Sequence, residues 1–140
     1  MRAPSTSSRT RGSALIESLL ALLVFSIGLL SLLALLTAAL KQSENARYRS
    51  EAGLLASDLV GQMWSGDRSL QALRQRFDPQ SEEYLLWLAR VQAALPGGVT
   101  DRSQPELVID DARTVTLTLH WQAPSDSEQH HLVVVTHLSD

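Results

Sequence analysis

The chain has no cysteine. Any metal set would therefore have to come from imidazoles and carboxylates, and disulfides give no clue to the compartment. No serine sits in a G-x-S-x-G elbow and no glycine-rich phosphate loop is present, so an enzyme reading has no motif to stand on and no cofactor is implied. An excess of positive charge is missing too. Setting aside the first twelve residues, with Arg2, Arg9 and Arg11, leaves 9 basic against 15 acidic side chains. That net of −6 argues against a nucleic-acid partner.

Charge itself is missing from one long stretch. From Ser18 to Leu40, 23 consecutive residues carry none, and most are Leu, Ala, Val or Ile. As a helix they reach about 35 Å, enough to cross a hydrocarbon core of ~30 Å. The near-zero mean hydropathy of the whole chain conceals this span, because a polar remainder averages against it. Residues from Lys41 to Asp140 suffice for one small domain with a modest core.

The first twelve residues, MRAPSTSSRTRG, are basic, rich in Ser and Thr, and nearly devoid of apolar side chains. A secretory signal has a 7–15-residue apolar region followed by a small-x-small cleavage site. The apolar run here is longer, so a retained helix is expected, although Ala38-Ala39 could mimic a late site. Positive charges do not set the orientation. Arg2, Arg9 and Arg11 flank one end, and Lys41, Arg47 and Arg49 the other. A short polar tail is easily left in the cytoplasm.

Glu17 lies just inside the apolar stretch, after Ala14, Leu15 and Ile16. A carboxylate at the centre of a membrane helix costs about 2.5–3.5 kcal/mol. Either Glu17 sits at the interface and reaches water, or it has a partner cation. Cleavage after Gly12 would create that cation as the ammonium of Ser13. Residues 13 and 17 share a helical face, so the pair could form within one chain or between neighbouring subunits.

The run Arg11-Gly12-Ser13-Ala14-Leu15-Ile16-Glu17, leading into an apolar helix, resembles the class III signal of type IV prepilins. The resemblance implies that a prepilin peptidase cuts after Gly12 on the cytoplasmic side and methylates Ser13, and that Glu17 is the assembly glutamate. Most members of the family have Phe or Met where this chain has Ser13; cleavage depends mainly on the glycine. Further stretches resemble the type IV pilus modification protein PilV family. They are Phe25-Ser26-Ile27-Gly28-Leu29-Leu30, Tyr48-Arg49-Ser50-Glu51-Ala52, Ala56-Ser57-Asp58-Leu59-Val60-Gly61-Gln62-Met63, and Trp87 to Leu95 closing on Pro96-Gly97-Gly98. Together they cover about two thirds of the chain.

That family implies a non-enzymatic minor pilin that helps to initiate and assemble type IV pili. Its expected partners are other minor pilins, the major pilin, the prepilin peptidase and the inner-membrane assembly machinery. The expected location is the inner membrane with a periplasmic head, then the pilus. A minor pseudopilin of a type II secretion system shares leader, glutamate and helix. An unprocessed single-pass membrane-anchored accessory protein is the alternative of another class. Gly28, with Ser26 and Ser31 nearby, could mark close helix packing or be an ordinary membrane-helix glycine. Ala34 stands where major pilins carry a helix-loosening proline, which suggests a straighter helix.

The expected layout is α+β and pilin-like: leader 1–12, assembly helix 13–64 with its span at 18–40, and head 65–140. Tyr48, Ala52, Leu55, Leu59 and Met63 form an apolar stripe, and Ser65-Gly66-Asp67 is the stop. Leu70, Leu73 and Phe77 mark a short periodic piece. Asp78-Pro79 or Ser81 then opens a helix with the stripe Tyr84, Leu88, Val91 and Leu95. Thr114 to Trp121 alternates as a strand, and His131 to Leu138 reads as its antiparallel return. Leu107, Val108 and Ile109 could add a third strand. Trp64, Trp87 and Trp121 are expected as core anchors. Asp110-Asp111 is expected to form a turn rather than a calcium loop. His120, His130, His131 and His137 read as ordinary strand positions rather than a metal site, because adjacent His130 and His131 should face opposite sides.

Overall fold

The computed structural model describes residues 9–98, 100 and 103–139, with side chains described from Gly12 onward. The expected leader falls largely outside them. Elements run in the order α1 (Arg9–Trp64), α2 (Leu70–Arg76), α3 (Glu82–Ala94), β1 (Glu106–Ile109), β2 (Thr114–Trp121) and β3 (His130–His137). The chain divides into two units, the first ending at Leu40 and the second beginning at Lys41. The fold is α+β, a long N-terminal helix and a small antiparallel sheet.

In the first unit every described apolar side chain of α1 is exposed; Leu15, Leu22, Phe25 and Leu35 are each at least two-thirds so. Four hydroxyls in this stretch turn back onto the helix. Ser18, Ser26, Ser31 and Thr37 donate to the carbonyls of Ala14, Leu22, Ile27 and Leu33 at 2.7–2.9 Å. That is a local bond open to a hydroxyl on a helix whatever surrounds it.

The second unit has a core. One wall is the later part of α1, where Ala52, Ala56, Leu59 and Met63 are buried and Tyr48 and Leu55 half-buried. Met63 keeps to the stripe, so Trp64 is turned about 100° away. Trp64 is not the core anchor expected: it is 40 % exposed, with the Arg68 guanidinium 5.6 Å over its ring.

Ser69 caps α2, its hydroxyl accepting from the Ala72 N–H, and Leu73 and Phe77 enter the core. Of the two caps considered for α3, the helix uses Ser81. Its Oγ accepts from the Tyr84 N–H at 3.2 Å and donates to the Arg76 carbonyl at 2.6 Å. Asp78 instead closes the turn before it, Oδ1 accepting from the Gln80 N–H. Glu82 and Glu83 occupy the first turn, where the helix dipole favours acids. Tyr84, Trp87, Val91 and Leu95 are buried, with Leu88 half-buried at the stripe's edge. The Trp87 Nε1–H donates to the Leu55 carbonyl at 3.0 Å and Arg90 pairs with Asp58 at 2.7 Å, so α3 is tied to α1.

After α3 the chain reverses at Pro96-Gly97-Gly98. Gly97 has φ +65°, and a Cβ on Gly98 would lie 2.7 Å from the His120 carbonyl. A left-handed residue followed by close backbone approach requires this glycine pair. The sheet order is β1-β2-β3, antiparallel throughout. On β2, Val115, Leu117, Leu119 and Trp121 are buried, and the threonines and His120 between them are half-buried. Asp110-Asp111 does lie in a turn. Asp110 accepts from the Thr114 N–H through Oδ1 at 2.7 Å, Asp111 pairs with Arg74 at 2.8 Å, and Arg113 takes φ +60°. β3 starts one residue earlier than expected. Leu138 leaves the strand, donates its N–H to the Arg113 carbonyl, and is fully buried.

Replacing Leu59, which is fully buried, tests this core. Leu59→Ala in the full chain in micelles should cost about 2–5 kcal/mol in urea unfolding followed by tryptophan fluorescence. Leu54→Ala, at a 65 % exposed neighbour, should change stability by less than about 0.5 kcal/mol.

Candidate functional site

The residues singled out in the sequence for processing and assembly all lie on α1 in the first unit. Gly12, Ser13 and Glu17 are helical and exposed. With 3.6 residues per turn, Ser13 and Glu17 stand one above the other on one face. Among the described residues Glu17 makes no ion pair, so its carboxylate is available to a partner. A glycine costs a helix about 1 kcal/mol relative to alanine. A Cβ on Gly12 would meet no atom within 4 Å, and the same holds for Gly28. Packing within this chain therefore explains neither glycine.

From Gly12 the helix is long and apolar enough to cross a membrane, and none of its most apolar window is buried. No other surface of the described chain covers these side chains. A lipid interior or the apolar helices of neighbouring copies would satisfy them; water would not.

The histidines fall where the alternation of a strand puts them. His130 pairs with Trp121 and His131 with His120 across β2 and β3. His130 therefore shares the core face with Trp121, its ring stacked 5.9 Å away, while His131 shares the outer face with His120 at 6.1 Å. The two adjacent imidazoles do point to opposite sides. Among the described residues no group of three or more His, Asp or Glu side chains is placed to hold a metal ion.

One polar cluster escaped the sequence reading. Asp126, in the loop between β2 and β3, gathers three donors. The Asn45 amide donates at 3.0 Å, His130 Nε2 lies at 3.1 Å, and the Glu128 N–H donates at 3.2 Å. Beside it, the Ser125 hydroxyl donates to Glu44. These bonds clamp the hairpin loop to α1. The Asn45 bond, followed by those from His130 and the Glu128 N–H, holds the Asp126 carboxyl well below its usual range. Pro124-Ser125-Asp126 is recognisable as a turn, but its partner Asn45 lies 81 residues away, beyond the reach of local pattern.

Compared with protein families, curated proteins and solved structures, the chain matches none.

The clamp has a pH signature. A carboxylate whose folded pKa is depressed stabilises the fold above its unfolded value, near 3.9, and loses that contribution as pH falls toward the folded pKa. At pH 7 Asp126→Asn should lower Tm relative to the parent. The gap should narrow as pH drops from about 5 to 3, measured by thermal unfolding of both chains at each pH. A gap constant across that range would remove the clamp's carboxylate from the stability of the head.

Proposed function

We propose that the chain is a minor pilin: a non-enzymatic filament subunit, cut after Gly12, that packs into a type IV pilus through its N-terminal helix and helps to initiate assembly. The observation that carries this reading is the composition of α1's exposed first part. It is an apolar helix whose one carboxylate, Glu17, sits one turn from the residue that cleavage would make the amino terminus. A simple membrane anchor has no use for that carboxylate, which opposes burial. A subunit stacked against copies of related helices does. The carboxylate of one chain meets the ammonium at Ser13 of the next, and the pair sets the stagger while the apolar side chains do the packing.

The resemblance to the class III signal supports the role of Gly12. The assignment to the PilV branch rests on the short stretches quoted above. The head is placed in the periplasm and the leader in the cytoplasm, with the span in the inner membrane until the subunit is extracted into the filament. Its partners are then other minor pilins, the major pilin, the prepilin peptidase and the assembly machinery.

Intact mass and N-terminal sequencing, with and without a co-expressed prepilin peptidase, test this reading. The expected product starts at Ser13, is heavier by one methyl group, and appears only with the peptidase. An intact Met1, or a start after Leu40, would return the chain to an anchored accessory protein or a secreted domain. Glu17→Leu should leave membrane insertion unchanged and reduce recovery in sheared filaments at least about tenfold, equivalent to ~1.4 kcal/mol of lost assembly energy. A filament signal that survives this change would remove Glu17 from assembly. Co-purification with secretion rather than pilus subunits would transfer the same chemistry to a type II pseudopilin.

A further inference from the structure

We draw no further inference here: the strongest candidate, the outer edge of β3 with its exposed Val133 and Val135, is an unpartnered sheet edge, and nothing in the structure shows what covers it.

Discussion

Backbone hydrogen bonding along a helix long and apolar enough to cross a membrane is the constraint on which this molecule depends. The exposed first part of α1 carries large aliphatic side chains on all sides and buries none of them within the chain. In such a setting a backbone must satisfy itself, and a continuous helix does so without any partner. The rest of the segment obeys the same rule. The hydroxyls of Ser18, Ser26, Ser31 and Thr37 bond to carbonyls one turn back rather than outward. Proline is absent from it, so no carbonyl in the ladder loses its donor. Glu17 is the exception, a group that helical geometry cannot satisfy locally.

Past Lys41 the same helix answers to different physics. Its side chains separate into a buried stripe and a wet face, and the second unit is assembled on that stripe. Burial of Leu59 and Met63 supplies the non-directional part of the energy. Direction comes from a few polar bonds. The Trp87 indole reaches the Leu55 carbonyl, Arg90 reaches Asp58, and the Asp126 loop reaches Asn45. The first two join α1 to α3 and the third joins it to the β2–β3 loop, so the later elements are held on the helix by contacts that apolar packing alone would not specify.

Much of this architecture was legible because it rests on periodicity. Spacings of three and four marked the α1 stripe, strict alternation marked β2, and the glycine pair after Pro96 marked the reversal that follows α3. Reading failed where neighbouring residues competed for one role. Trp64 and Met63 are both apolar and adjacent; the helical phase admits Met63 and expels Trp64, a difference of one residue that composition cannot resolve. Asp78-Pro79 and Ser81 both had the chemistry of a cap, and the choice fell to Ser81 because its hydroxyl serves both the Tyr84 N–H and the Arg76 carbonyl. Asn45 and Asp126 were unremarkable in their own surroundings, and acquire meaning only when the chain brings them together. Gly12, Ser13 and Glu17 are the reverse case: their sequence signal is local, and the fold of a lone chain adds only the shared helical face of Ser13 and Glu17.

The bond between Asn45 and Asp126 also has a meaning in time. Its partners are 81 residues apart, and ribosomes add about 5–20 residues per second, so roughly 4–16 s pass between their syntheses. For most of that interval, once Met63 has been made, the stripe of Ala52, Leu59 and Met63 is without its sheet. Non-local pairing of this kind is slow to form and leaves apolar surface open to the wrong partner. A nascent chain of this protein is thus most vulnerable to aggregation late in its own synthesis, when the helix is finished and the last hairpin is not.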